Sequence, residues 1–174
     1  MIAPTTNSSA AIIRAATPAD LPRVEKLLSA SDLPLAGVRD ALRDFVVAES
    51  GGELVGVAGL EVCCDDALLR SVAVHPDWRS KGVGRALVSR AISDAEARGI
   101  HALYLLTTTA EHYFPSFGFE GISRADVPAE VRGTAEFQGA CPDSATVMRR
   151  PLSHVDRMPC GELVRRGLRV EGCV

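Results

Sequence analysis

The sequence predicts an α/β (α+β) domain on a central mixed, mostly antiparallel sheet of six to seven strands, flanked by about four helices. Its 174 residues, 47% hydrophobic and 24% charged, suit one compact domain with a buried core. Three apolar runs, at residues 45–48, 53–64 and 68–74, follow one another through short turns, the signature of an antiparallel meander. A helical pattern then separates 68–74 from a further apolar run at 101–106, and a strand, helix, strand crossover of that length requires parallel pairing.

Residues 1–11 are small and polar and read as a disordered arm. Ile12-Ile13-Arg14 opens a short strand. Thr17 before Pro18 supplies a cap and a first-turn proline, and Leu21, Val24, Leu27 and Leu28 recur at helical spacing. Asp32-Leu33-Pro34 breaks that helix, a shorter one spans 37–42, and Phe45-Val46-Val47-Ala48 is a buried strand. Gly51-Gly52 turns the chain into a long strand carrying Leu54, Val55, Val57, Leu60 and Val62, and Asp65-Asp66 turns it again into 68–74. The helix starting near Gly82 buries Val83, Leu87, Val88, Ala91, Ile92 and Ala95 on one face and stops at Gly99. Residues 101–106 form a strand, 110–117 a short helix, and Ala145-Thr146-Val147-Met148 the last strand. The domain spans 12–152, and 153–174 read as a C-terminal appendage.

Nineteen basic against twenty-two acidic residues leave a net charge of −3, so nothing global favours nucleic acid or an anionic membrane. No apolar run reaches the roughly 18 residues of a membrane span, and the N-terminus lacks a basic and then apolar leader, which predicts a cytoplasmic protein. Five cysteines without a leader read as reduced thiols, and no C-x-x-C pair or His cluster makes a case for metal. Arg greatly outnumbers Lys, which occurs only at positions 26 and 81. With the abundant Ala and Gly, that composition suggests GC-rich codons and a bacterial source.

Arg79-Ser80-Lys81-Gly82-Val83-Gly84-Arg85, between a strand and a helix, is the most informative stretch. Glycines let consecutive amides turn toward phosphate oxygens while the helix presents the positive end of its dipole, and Arg79, Lys81 and Arg85 add charge. The alternative is a glycine-rich cap with solvated cations. A nucleotide triphosphate P-loop is excluded because Gly-x-x-x-x-Gly-Lys-Ser/Thr is absent. The third small residue and the later acid of a dinucleotide fingerprint are also missing.

The run from Leu68 to Gly84, with its complete R-x-x-G-x-G core, resembles the acetyl-coenzyme A signature of GNAT-type N-acetyltransferases. Tyr113-Phe114-Pro115-Ser116-Phe117-Gly118-Phe119 is similar to a second landmark of that family, and the resemblance runs from about residue 12 to 152. It implies the GNAT fold, with acetyl-coenzyme A as cosubstrate and no metal. The amides of Lys81, Gly82, Val83, Gly84 and Arg85 would hold the pyrophosphate. Val72 and Val74 would offer backbone groups to the pantetheine arm, lying as an added strand, and the Val74 N–H would polarise the acyl carbonyl. Transfer would be direct, with no nucleophilic side chain.

Many members of the family carry Tyr where this chain has Phe114, as the acid for the departing thiolate. Tyr113 is the neighbouring candidate, with a core or surface aromatic as its alternative, and on an α-helix it points about 100° away. Glu61 is the first candidate base, against the alternative of a solvent-facing Glu; His75 reads as a loop-shaping residue. Residues 103–111 are similar to amino-acid acetyltransferases of the N-acetylglutamate synthase type. The whole core, including Ala125-Asp126-Val127-Pro128 and Gly139-Ala140-Cys141-Pro142, most resembles small acetyltransferases of bacterial arsenic-resistance operons. The expected acceptor is a small-molecule primary amine, such as an amino acid or a glutamate-like arsenic- or phosphorus-containing toxin. Arg70, Arg39 and Arg43 are candidates for its carboxylate, each also readable as a surface cation. Cys63-Cys64 point to opposite faces of a strand and do not make a two-thiolate site. The rival function is a non-catalytic acyl-coenzyme A sensor, and homodimerisation stays open.

Overall fold

The computed structural model describes residues 10–153, so the expected appendage beyond residue 153 and all but the last two residues of the expected N-terminal arm lie outside the described residues. Seven strands form one sheet: β1 (Ile12–Ala15), β2 (Phe45–Ser50), β3 (Glu53–Cys63), β4 (Asp66–Val74), β5 (Ala102–Thr107), β6 (Glu120–Ile122) and β7 (Thr146–Pro151). Their order is β1-β2-β3-β4-β5-β7-β6, and every pairing is antiparallel except β4 with β5. The α-helices among the described residues are α1 (Leu21–Ala30), α2 (Val38–Ala41), α3 (Val83–Ala97) and α4 (Ala129–Arg132).

β2 shows why its run is apolar throughout rather than alternating. Phe45 and Val47 pack against Val24, Leu27 and Leu28 of α1, whereas Val46 and Ala48 face Val83 and Leu87 of α3. Helices cover both faces, so every residue of the run is buried. The periodic residues expected of the third helix are the ones α3 buries. The expected helix at 110–117 is instead a turn leading into a single 3-10 turn, Phe114–Phe117, with Pro115 near its start. The short β6 extends the sheet beyond β7.

β1 is fastened by charge as well as by its ladder. Asp20 is 1% exposed and accepts hydrogen bonds from Arg14 Nη1 and Nη2 (2.7 and 2.9 Å), Arg23 Nη2 (2.5 Å) and the Thr17 amide (2.8 Å). Arg14, foremost among these partners, holds the Asp20 carboxyl well below the usual carboxylate range. Because the folded-state value lies below the unfolded one of about 3.9, the stabilisation is present above that pH and is lost as pH falls toward the folded value. Asp20→Asn is expected to cost about 1–3 kcal/mol at pH 7. The loss of stability from pH 5 downward should also become shallower in the variant. Denaturant melts across that range check this, and identical slopes would refute it.

Candidate active site

A defect in the sheet makes the site. β3 and β4 pair in one register from Cys63↔Asp66 to Gly59↔Arg70 and in a shifted one at Val57↔Ala73, which leaves Ser71 and Val72 opposite Ala58 alone. Ser71 sits at φ +57°, an uncommon conformation for a residue with a side chain. A bulge of this kind bends its strand and re-aims the backbone. On the other edge of β4, the parallel pairing with β5 comprises Ala67↔Leu103 and Leu68↔Tyr104 and ends before the bulge. A cavity of about 250 Å³ is lined beyond that point by residues of β4 from Leu69 to Val74 and of β5 from Leu105 to Thr107. Gly84, Tyr113, Phe114, Glu136 and Cys141 also line it.

The loop after β4 enters α3 through Ser80 at φ +59° and Gly82 at φ +81°. No side chain among the described residues caps the helix at Gly82, so its first amides are free to meet an anion. A Cβ built on Gly82 meets nothing within 4 Å, which leaves open space before the helix end. Arg79 Nε donates to the Val74 carbonyl (3.2 Å) and ties the loop to the strand. The Lys81 ammonium lies 5.1 Å from the Trp78 ring centre, and the Arg85 guanidinium 5.2 Å from that of Phe117. Uncapped amides, open space and three cations fit a diphosphate.

Tyr113 and Phe114 both line the cavity, Tyr113 from the turn that precedes the 3-10 helix and Phe114 from its first position. Tyr113 packs edge-on against Phe114 and Phe117, and its hydroxyl lies 3.3 Å from where a Cβ on Gly84 would stand. Burial pushes its phenol up, offset by Arg85.

Arg70 is the buried centre of the cleft floor. Its side chain is wholly covered, with Nη1 donating to Glu61 Oε2 (2.6 Å), Nη2 to the Ala36 carbonyl (2.6 Å) and Nε to Ser71 Oγ (3.3 Å). Glu136 Oε1 completes the cluster 3.4 Å from Nε. Glu61, the candidate base from sequence, is thus committed to Arg70 and does not line the cavity, whereas Glu136 does. Burial pushes the Glu136 carboxyl up, and Arg70 pulls it back. Arg39 and Arg43 stand elsewhere: they line a separate depression with Ala16 to Pro18 that shares no residue with the cleft, and Arg43 is 85% exposed beside Asp44. Their place in the chain, on α2 and just after it, turns them to that side.

Sequence reasoning missed Glu136 and Cys141. Both belong to the stretch between β6 and β7, where a π-turn (Glu136–Ala140) with Gly139 at φ +114° carries no periodic pattern that would have shown their burial. Burial raises the Cys63 and Cys141 thiols to about 11. Among the described residues no group of three His, Cys, Asp or Glu is placed to hold a metal, and no helix is long and apolar enough to cross a membrane.

Residues 41–121 match the family model of an acetyltransferase (GNAT) domain. An amino-acid acetyltransferase of Mycobacterium tuberculosis is 30% identical over 130 residues, covering 69% of this chain and 74% of that protein. One of Pasteurella multocida is 29% identical over 135 residues, covering 72% of this chain and 31% of the relative. The chain spans only 20% to 31% of the length of several such relatives. Among solved structures, a Mycobacterium tuberculosis protein in complex with CoA superposes with TM-score 0.70 at 26% identity, over 82% of this chain and 99% of that one. N-acetylglutamate synthase of Neisseria gonorrhoeae, complexed with coenzyme A and N-acetyl-glutamate, shares the fold with TM-score 0.72 at 24% identity, over 85% of this chain and 36% of that one.

Proposed function

Because this chain belongs to the GNAT acetyltransferases, we propose that it transfers the acetyl group of acetyl-coenzyme A directly to the primary amine of a small molecule. The observation that carries this reading is the uncapped α3 terminus behind Gly82, adjoining the cleft where β4 and β5 part. In this reading the amides from Lys81 to Arg85 hold the diphosphate with the charges of Arg79, Lys81 and Arg85. Val72, in the bulge, and Val74 lend backbone groups along the cleft, and the Val74 N–H is the donor for the acyl carbonyl. The coenzyme supplies an activated thioester when bound. Tyr113, which lines the cavity, would be the proton donor for the departing sulfur in place of the family tyrosine that is Phe114 here.

The relatives' names and the position of Arg70 on the cleft floor support an amino acid as acceptor, with glutamate-like molecules, including arsenic- or phosphorus-containing ones, first to be tested. The acceptor carboxylate would meet Arg70 at its Nε edge by displacing the long contacts there to Ser71 Oγ (3.3 Å) and Glu136 Oε1 (3.4 Å). Free-thiol release from acetyl-coenzyme A against a panel of amino acids, polyamines and alkylamines tests the reading. Release with none of them, despite coenzyme binding, would favour a non-catalytic sensor.

Direct transfer has its own consequence in that assay. The Cys63 thiol, raised to about 11 by burial, stays protonated at neutral pH, and so does Cys141, which leaves both poor nucleophiles. Replacing Cys63 and Cys64 together by Ala should leave turnover within about twofold, since no acyl-enzyme forms. Mass spectrometric capture of an acetylated cysteine whose replacement stops turnover would overturn the direct route.

A further inference from the structure

We propose that Glu136, on the π-turn between β6 and β7, receives the acceptor's ammonium and accepts the proton it must lose before attack. The proposal rests on the acetyltransferase reading above and adds a residue and a step to it. An amine arrives at neutral pH as a cation, so entering a cleft requires an anion to replace its hydration and a base to free its lone pair. Glu136 is the one carboxylate among the described residues that line the cavity. Its side chain is 6% exposed. Its contact with Arg70, at 3.4 Å, is long beside the 2.6 Å contacts that Glu61 and the Ala36 carbonyl make with the same guanidinium. Glu136, which also accepts a hydrogen bond from Cys141, is therefore held less closely by Arg70 than Glu61 is, and unlike Glu61 it faces the cavity.

The surrounding charges suit the task. Arg70 on β4 faces Glu136 directly, Glu61 on β3 lies across that guanidinium, Cys141 adjoins it on its own segment, and Tyr113 lines the same cavity. Burial raises the carboxyl's affinity for a proton above that of an exposed Glu, and Arg70 opposes that rise by favouring the ionised form. An α-amino acid carries both charges in one head, so its carboxylate can take the Arg70 Nε edge as Glu136 turns to the ammonium. Opposite charges then stay paired throughout.

In the step itself one ammonium N–H bond breaks, the proton passes to a Glu136 oxygen and the electron pair remains on nitrogen. That pair forms the C–N bond at the acyl carbon, and the C–S bond breaks with its electrons leaving on sulfur. Tyr113 gives its proton to sulfur to form the free thiol and regains one from the second N–H of the nitrogen, and Glu136 returns the first proton to water.

The test compares wild type with Glu136→Gln, which keeps size and polarity but cannot take a proton. The acceptors are the most active amino acid of the panel and hydroxylamine, which is already neutral at pH 7. We expect kcat/KM for the amino acid to fall about 100-fold or more at pH 7. It should climb again toward pH 9 and above as the ammonium ionises in solution. The loss of hydroxylamine turnover above the uncatalysed background should be at least about tenfold smaller than the loss with the amino acid, and acetyl-coenzyme A affinity by calorimetry should not change. Glu136→Asp, retaining the carboxylate, should keep the wild-type pH profile at reduced rate. A Glu136→Gln variant that keeps the wild-type kcat/KM for the amino acid at pH 7, or equal losses with both acceptors, would overturn the inference alone; a wild type that releases no thiol with any acceptor overturns the reading beneath it as well.

Discussion

Gly82→Val is expected to abolish acetyl-coenzyme A binding, lowering affinity by at least about 100-fold in calorimetry, while leaving the domain folded. Two effects act together. Gly82 sits at φ +81°, where a β-branched residue is strained by upwards of about 1–2 kcal/mol, so the loop either stores that strain or moves its amides. The new side chain also projects into the open space ahead of α3 that the diphosphate would occupy. The fold survives because a Cβ there meets no protein atom within 4 Å. Unchanged affinity in a folded variant would remove this loop from the coenzyme site.

Arg70→Ala should give the largest loss of stability. Removing the guanidinium leaves Glu136 buried, and Glu61 three-quarters covered, with no cation between them, and breaking a buried ion pair from one side costs about 3–5 kcal/mol. That is a large part of a domain's usual stability of about 5–15 kcal/mol. Denaturant melts should also show a particular dependence on pH. Burial already raises the Glu136 carboxyl, and without Arg70 only the Cys141 hydrogen bond is left to pull it back. A group whose folded value lies above its unfolded one stabilises below the unfolded value and loses that stabilisation as pH rises through the folded one. The gap between variant and wild type should therefore be narrowest near pH 4 and widest at neutral pH; an equal gap at both would show that the cluster is not a charge-compensated unit. Arg70→Lys should not close the gap, since one ammonium cannot reach Glu61, Glu136 and the Ala36 carbonyl together.

The meander and the crossover were legible because burial writes itself into period. Leu87, Val88 and Ala91 mark one face of α3, and the unbroken Phe45 to Ala48 run marks a strand covered on both faces. The anion loop was legible because backbone conformation with φ above zero selects glycine at Gly82. The bulge was not, since Ser71 adopts φ +57° with a side chain no propensity assigns there. That Arg70 holds Glu61 more closely than Glu136, and that Glu136 is the one facing the cavity, also lay beyond sequence, being a matter of tertiary distance between residues far apart in the chain. Tyr113 belongs to a turn ahead of the 3-10 helix at Phe114, so the α-helical angle expected from sequence does not apply to it.

The two-rung seam between β4 and β5 bears on how the protein ages in solution. Beyond Leu68 and Tyr104 these strands no longer pair, so each presents an edge inside the molecule, and an open edge is a template on which an extended segment of another chain can add. The cavity walls shield that template from casual encounter, yet the shielding is only as good as the cleft is full. A ligand that binds the folded state alone adds about 2.7 kcal/mol at a hundred times its dissociation constant. Stocks stored with the coenzyme should accordingly outlast stocks stored without it, because the ligand closes the interior edge that would otherwise seed aggregation.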